Sequence, residues 1–107
     1  MLVTTSNELA GYRIVKQLGV VRGLTVRSRS ILGNIGGAFQ AFFGGNITVY
    51  SHLAETARQQ AYDLLVQNAR EAGANAIVAM RYDANEIMAG ITEVLAYGTA
   101  VAVEPAA

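Results

Sequence analysis

The sequence is distinctive for what it lacks. It contains no cysteine, no tryptophan, one histidine and one proline among 107 residues. Without cysteine no disulfide framework can form, and the expected location is the cytoplasm. A zinc or copper site normally uses three or four thiolate or imidazole ligands, and a chain with one imidazole cannot provide them alone. No cofactor is expected from these residues.

Charged residues are also scarce. They make up 15% of the chain, against about 25% in typical soluble domains, whereas hydrophobic residues reach 52%. We expect a single domain over residues 1–107, and a domain of this size leaves a large share of its surface in water. The apolar excess indicates that part of this surface is buried by another copy. The composition therefore predicts a homo-oligomer.

Neither a membrane span nor a secretory signal accounts for the apolar excess. The uncharged stretch of residues 30–53 exceeds the roughly 20 residues of a membrane span, but five glycines and several polar side chains interrupt it. No membrane span is predicted there. The first 11 residues lack the basic and then apolar pattern of a secretory signal.

The net charge is zero, but its two signs are separated along the chain. Residues 1–50 hold five basic residues and one acid, a net charge of +4, and residues 51–107 hold three arginines and seven acids, a net charge of −4. Halves of opposite sign can attract each other within a fold or between copies. A nucleic-acid partner is not predicted, because such proteins usually keep a surplus of positive charge.

The first half of the chain predicts extended structure followed by an apolar stripe. Residues 12–29 are rich in Val, Ile, Leu and Thr, and Gly19 and Gly23 suggest a bulge or bend in one long strand or between two short ones. Residues 30–46 repeat apolar side chains at helical spacing between glycines, which favours a short amphipathic helix or helical loop. We expect this stripe to supply contacts between copies. Its members are Ile31, Ile35, Phe39, Phe42 and Phe43.

Residues 53–72 give the strongest helical pattern. Alanine and leucine recur at spacings of three and four, and polar residues fill the other side. Ser51 is the expected N-cap, and Gly73 is the expected stop because glycine readily takes the left-handed conformation that ends many helices. The small side chains predict a helix that lies close to the sheet it covers.

Two strands are predicted after this helix. Residues 76–82 form a largely apolar run, and Asp83 to Asn85 are expected to form a turn. Residues 91–103 alternate between a face of larger side chains and a face of small ones, on which the alanine-rich helix can pack. The pattern predicts an α+β fold with one long helix on an antiparallel sheet.

The residues offer weak metal ligands. His52 is the only imidazole, while Asp83 and Glu86 could approach Glu93 across a hairpin. Asp83 and Glu86 are residue types that commonly occur in turns, so their presence does not require a metal. His52 lies at the expected start of the helix, where a capping role accounts for it. We retain His52, Asp83 and Glu86 as candidate metal ligands, with pooling of one histidine per copy as the alternative.

A second set of residues could bind an anion or a small molecule. Arg27 and Arg29 offer two guanidinium groups, and Arg81, Tyr82 and Glu93 lie on neighbouring predicted strands. A cross-strand ion pair between Arg81 and Glu93 explains those two residues equally well. An enzyme with a cleft around Arg27, Arg29, Tyr82 and Glu93 is a further alternative, because tyrosine and carboxylates can act as acids and bases.

An ordered set of motifs resembles one protein family and spans nearly the whole chain. The motifs are GVVRG at 19–23, VRSRS at 26–30, the pair Gly44-Gly45 followed by Tyr50, Ala57-Arg58, GANAIV at 73–78 and TEVLAYGTAV at 92–101. Together they are similar to the YbjQ-like family of small bacterial and archaeal proteins. The resemblance implies a dodecin-like subunit, with a helix on an antiparallel sheet and extra short strands that join copies into a ring-shaped pentamer.

The family is described as heavy-metal-binding, but this chain has only one histidine and no cysteine to serve as ligands. The resemblance supplies no active site. The leading hypothesis is therefore a non-enzymatic homo-oligomer that binds a small ligand, an anion or a partner at its subunit boundaries. Heavy-metal binding and an enzyme with an intersubunit site are the alternatives.

Overall fold

A helix packed on a four-stranded sheet forms the fold, which confirms the predicted α+β class. The computed structural model of the protein describes residues 1–28 and 47–107. The elements in chain order are β1 (Leu2–Val3), β2 (Tyr12–Ser28), α1 (Ile47–Glu71), β3 (Ala76–Met88) and β4 (Ile91–Pro105).

The sheet is mixed, with the strand order β1-β3-β4-β2. The predicted antiparallel pairing holds for β2 with β4 and for β3 with β4. It is wrong for β1, which pairs in parallel with the start of β3 and places Leu2 opposite Ala76. The sequence could not reveal a strand of two residues, because alternation has no meaning over that length.

The β3–β4 hairpin is longer than predicted. Asp83 to Asn85 lie within β3 and pair with β4, so the predicted turn at these residues is wrong. The chain reverses instead at Gly90, whose φ of 78° lies in the left-handed region that glycine tolerates. From Arg81 to Met88 every residue of β3 is exposed, and polar side chains therefore occur on both faces.

The core lies between α1 and the small-residue face of β4, as predicted. Ala57, Ala61, Leu65 and Ala69 of the helix are buried in one cluster. The same cluster includes Val21 of β2, Ile77 and Met80 of β3, and Val94, Ala96 and Ala100 of β4. Small side chains let the helix approach the sheet closely, because little volume separates the two backbones.

Gly23 marks the closest approach of helix and sheet. A Cβ atom at this position would lie 2.0 Å from the backbone oxygen of Ala61 and 2.4 Å from the backbone nitrogen of Leu65. Since both neighbours are backbone atoms, no side-chain rotation could relieve the clash. Packing therefore requires glycine at position 23 of a continuous strand. Of the two predicted irregularities, the one at Gly19 is confirmed, because a register shift of β2 lies between Gln17 and Gly19 and Gly19 has a φ of 100°. The one at Gly23 is wrong, because the pairing of β2 with β4 is regular there.

The helix begins earlier than predicted. It starts at Ile47, so Ser51 lies inside it and is not its N-cap, and His52 lies in its second turn. Its end agrees with the sequence pattern, since α1 stops at Glu71 and Gly73 has a φ of 89°.

The sheet face opposite α1, here called the helix-free face, has a second and smaller core at one end. Ala76 and Val78 of β3 and Val101 and Val103 of β4 are buried there. Leu9, from the segment between β1 and β2, and Ile14 pack against them. The chain thus covers half of this face with its own residues.

A β-bulge in β3 decides which of its later side chains face the helix. Between Val78 and Arg81 the strand uses three steps where β4 uses two, and Ala79 has a φ of 55°. The bulge absorbs one residue, so that Met80 enters the core beneath α1 and Arg81 falls on the helix-free face. Tyr82 then returns to the helix side, opposite Ala96.

Candidate functional site

The other half of the helix-free face is uncovered by any described residue, and we call it the open patch. Its residues come from three strands: Val20, Arg22, Leu24 and Val26 of β2, Glu93, Leu95 and Tyr97 of β4, and Arg81, Asp83 and Asn85 of β3. The exposed fractions of Val20, Leu24 and Val26 are 78%, 47% and 50%. Large apolar side chains gathered on one exposed face are typical of a binding surface.

Strand register arranges the open patch into rows that cross the sheet. Arg22 lies opposite Tyr97, and Tyr97 lies opposite Arg81, so the first row places a tyrosine between two arginines. Two residues further along the strands, Leu24, Leu95 and Asp83 form the second row. The third row contains Val26, Glu93 and Asn85.

Hydrogen bonds fix the side chain of Arg81 and the backbone at Arg22 in the first row. Arg81 donates from Nη1 to the backbone oxygens of Thr5 at 2.7 Å and Met80 at 2.8 Å. The backbone oxygen of Arg22 accepts a hydrogen bond of 2.7 Å from Nδ2 of Asn68, which ties this part of β2 to the helix. These contacts hold the row at the boundary between the open patch and the covered half.

The charged groups of the open patch do not neutralise one another within the subunit. Among residues 1–28 and 47–107, the ion pair found is the one between Arg13 and Glu104, two exposed side chains near the opposite end of the sheet. The predicted ion pair between Arg81 and Glu93 is therefore wrong. Register explains the error, since Arg81 lies opposite Tyr97 and Glu93 lies opposite Asn85.

The predicted ligand residues divide between the two faces of the sheet. Arg81 and Glu93 lie on the open patch, while Tyr82 lies on the helix side opposite Ala96. Arg27 is also on the helix side, opposite Thr92, and Arg29 lies outside the described residues. One subunit therefore does not gather the described members of this set into a single cleft.

Tyr82 occupies a polar corner beside the helix. Burial is the main cause that raises its pKa above the ordinary value of 10.0, and Tyr62 raises it further. The Arg58 guanidinium acts in the opposite direction, and the carboxylates of Glu55 and Asp63 add to the increase. Because Tyr82 is still 45% exposed, water screens much of this effect.

A shallow groove runs along the same side of the helix. Its volume is about 600 Å³, and its lining residues are Met1, Tyr62, Asp63, Val66, Gln67 and Arg70. Tyr62 and Val66 contribute apolar surface, and the other helix residues are polar at its rim. The sequence did not predict this groove, because it depends on Met1 approaching α1 from a distant part of the chain.

The three candidate metal ligands are dispersed. His52 is on α1, Asp83 is on the open patch, and Glu86 is on the helix side of β3 opposite Thr92. No group of three His, Asp or Glu side chains that could hold a metal ion is found in the described parts of the chain. Residues 29–46 contain none of these residue types and no cysteine. The donors that the structure describes in a single subunit thus do not fit a heavy-metal site.

Two further predictions concern surfaces. The five residues expected to join copies, Ile31, Ile35, Phe39, Phe42 and Phe43, lie outside the described residues. Within residues 1–28 and 47–107, no helix combines the length and the apolar character needed to cross a membrane.

Only part of the open patch could be predicted from the sequence. Alternation along β4 already placed Glu93, Leu95 and Tyr97 on one face. The contribution of Arg22 and Leu24 could not be found, because valine occurs on both faces of β2 at residues 20–26 and the pairing partner lies about 70 residues away.

A solved structure shares this fold. The protein of unknown function from Pediococcus pentosaceus, assigned to the DUF74 family, superposes with a TM-score of 0.63. The alignment covers 97% of this chain and 98% of that one, at 18% sequence identity. At this identity the similarity supports the fold alone.

Sequence relatives are much more similar and are uncharacterised. A protein named "UPF0145 protein" from Chromobacterium violaceum is 58% identical over 99% of this chain and 91% of its own length. Another from Solibacter usitatus is 56% identical over 97% of this chain and 93% of its own length. The sequence model of the YbjQ family, described as "Putative heavy-metal-binding", matches residues 1–104. The chain therefore belongs to the YbjQ family.

Proposed function

We propose that the protein is a non-catalytic homo-oligomeric module that binds a small-molecule or anionic ligand, or a partner, at the boundaries between its copies. The observation that carries this proposal is the open patch, where Val20, Leu24 and Val26 expose apolar surface on a face that one subunit leaves uncovered by its described residues. Packing against another copy would remove that surface from water, at about 25 cal/mol for each Å² buried.

Strand edges support the same proposal. The outer edge of β2 has no partner strand among the described residues, and β3 beyond Arg81 has one only on its β4 side. Unpaired edges offer backbone donors and acceptors to another strand, and stable proteins usually cover or pair them. The family resemblance implies a ring of five copies, and we include that ring in the proposal.

The proposal that a ligand binds between copies rests on the distribution of the candidate residues over the two faces of the sheet. Arg81 and Glu93 lie on one face, and Arg27 and Tyr82 lie on the other, so a boundary between copies is where both sets can meet. Guanidinium groups bind carboxylates and phosphates through paired hydrogen bonds. An anionic small molecule is the ligand class that this set favours.

Sedimentation velocity of the untagged protein at micromolar concentrations tests the oligomer. We expect a mass several times the 11.3 kDa of the chain, and a multiple of five would identify rings of five. Leu24→Arg should shift the protein toward the monomer, because a charge on the patch centre must lose its water on assembly. Gln60→Arg adds the same charge on an exposed part of α1 and serves as the control. A wild-type monomer across the whole concentration range would reject the proposal.

Heavy-metal binding is the second candidate, and the description of the family favours it. Because one subunit does not gather suitable donors in its described residues, a site of this kind requires His52 from several copies around an axis. Elemental analysis of untagged protein, together with His52→Ala, tests this candidate. Stoichiometric zinc, copper or cadmium that disappears in the variant would support it, and metal-free protein would reject it.

A further inference from the structure

We propose that two copies meet face to face through the open patch, about a two-fold axis, with the Glu93 carboxylate of each copy placed between Arg22 and Arg81 of the other. This inference rests on the proposed self-association and names the surface and the pairing that produce it. Its occupant is a second copy, and the argument for it is charge complementarity within the patch.

The rows of the open patch supply that complementarity. The Arg22–Tyr97–Arg81 row and the row containing Glu93 lie on either side of the row containing Leu24 and Leu95. Adjacent rows are two residues apart, about 7 Å along the strands. The patch is therefore positive on one side of an apolar centre and negative on the other.

Consider a two-fold axis that lies midway between the two facing sheets, parallel to the Leu24 and Leu95 row and perpendicular to the strands. Rotation about this axis brings the negative side of each patch onto the positive side of the other. This rotation reverses strand direction but keeps each strand above its own counterpart. The Leu24 and Leu95 row then lies on itself, and Glu93 of one copy lies above Tyr97 of the other. Since Tyr97 lies between Arg22 and Arg81 in the sheet, the incoming carboxylate has an arginine residue on each side. Contacts of this type are self-complementary, as an interface about a two-fold axis must be.

The groups that would pair are available within the described structure. Arg22, Arg81 and Glu93 form no ion pair among residues 1–28 and 47–107. Arg81 is already held by the backbone oxygens of Thr5 and Met80, so little side-chain freedom remains to be lost on binding.

Asp83 is the unfavourable member of the patch, because it lies in the central row and approaches its own counterpart. It is exposed and lies on β3, at the edge of the contact. Water and salt screen the repulsion between exposed charges at such an edge. The two carboxylates therefore weaken the contact without preventing it.

Apolar contacts would surround the charges. Leu24 and Val26 are about half exposed, and Leu95 and Tyr97 are partly buried. Covering them with the same residues of a second copy gives the charged pairs a drier environment, in which hydrogen bonds to a carboxylate are stronger. If the copies also form rings of five, this contact joins two rings face to face.

Charge reversal tests the pairing directly. Arg22→Glu and Glu93→Arg should each weaken self-association at this contact by about tenfold or more, because like charges then face each other twice. An equimolar mixture of the two variants should recover part of the association. In the mixed pair, Glu93 of the Arg22→Glu copy again lies between two arginines, while the arginine introduced at position 93 meets one acid and the unchanged Arg81. Lys16→Glu reverses a charge on the same strand but on the helix side, and should leave association unchanged. The measurement is sedimentation velocity, with circular dichroism and urea unfolding to verify that each variant is folded.

The outcomes separate this inference from the proposed function. A monomeric wild-type protein rejects the proposed function and this inference together. An oligomer that both single variants leave intact rejects this inference alone, as does a mixture that fails to recover association. Binding of inorganic phosphate to wild-type monomers, lost in Arg22→Glu, would assign the arginine row to a small anion and overturn the pairing. Glu93→Gln, a milder change, should weaken association less than Glu93→Arg.

Discussion

The two halves of the helix-free face use the same strands but differ in what covers them. In the covered half, Val78, Val101 and Val103 lie beneath Leu9 and Ile14 and are almost inaccessible to water. In the open patch, residues of β2 and β4 on the same face keep their apolar side chains exposed. The comparison shows that alternation selects a face for burial, whereas the occupant of that face is determined by distant parts of the chain or by another molecule.

The largest expected effect comes from disrupting the packing of α1 on the opposite face of the sheet, which supports both halves. Gly23→Ala should lower the free energy of unfolding by about 3 kcal/mol or more, because its Cβ would collide with the backbone of Ala61 and Leu65 and displace the helix. Urea unfolding monitored by circular dichroism measures this. Val20→Ala, at an exposed position on the same strand, should change stability by less than about 0.5 kcal/mol when the protein is dilute and monomeric, and is the control. A stable Gly23→Ala protein would show that α1 does not press on β2 as described.

Valine truncation in each half sharpens the comparison. Val101→Ala in the covered half should cost about 2 kcal/mol, because it removes fully buried atoms and leaves a cavity. Val26→Ala in the open patch should cost less than about 0.5 kcal/mol when the protein is dilute and monomeric. At concentrations where copies associate, the cost of Val26→Ala should increase and that of Val101→Ala should not. Equal costs for the two variants at all concentrations would remove the distinction between the halves.

The smallest effect concerns the helix side of β3. Burial raises the pKa of Tyr82 above 10.0, so the folded state holds the phenolic proton more tightly than the unfolded state. This contribution to stability is complete below about pH 10 and declines as the pH rises through the unfolded and then the folded pKa. Tyr82→Phe should therefore lose less stability than the wild type between about pH 9 and pH 11. Urea unfolding at both pH values measures the change in the free energy of unfolding for each protein. An equal change in the wild type and in Tyr82→Phe would contradict the raised pKa of Tyr82.

The sequence predicts the fold best where the chain is amphipathic. Spacing on α1 and small residues on β4 correctly predicted that Ala57, Ala61 and Leu65 would pack on Ala96 and Ala100. Such prediction fails where no face is buried. The second half of β3 is exposed on both sides, so its polar residues resemble a turn, and only pairing with β4 makes it a strand.

Local preference also misplaced the start of the helix. Ile47, Thr48 and Val49 are β-branched residues with low helix propensity, and Ser51 is a favoured N-cap. These preferences amount to a few tenths of a kcal/mol per residue, which the rest of a 25-residue helix can override.

The candidate site was predictable only in part, for a different physical reason. The pairing of Arg22 with Tyr97 depends on register between strands that are far apart in the sequence. A shift of one residue in that register would move every side chain of β2 to the other face. Gly19 indicates an irregularity in β2, but no local pattern determines which residue of β4 lies opposite Arg22.

The bulge at Ala79 makes β3 tolerant of a change in length at one position. Deleting Ala79 would remove the extra residue and a left-handed backbone conformation, while Met80 would still face the helix and Arg81 the open patch. Deleting Ala84 instead would exchange the faces of every later residue of the strand and send Asn85 toward the helix side. A homologous chain one residue shorter at position 79 could therefore present the same surface, whereas a chain shortened elsewhere in β3 could not.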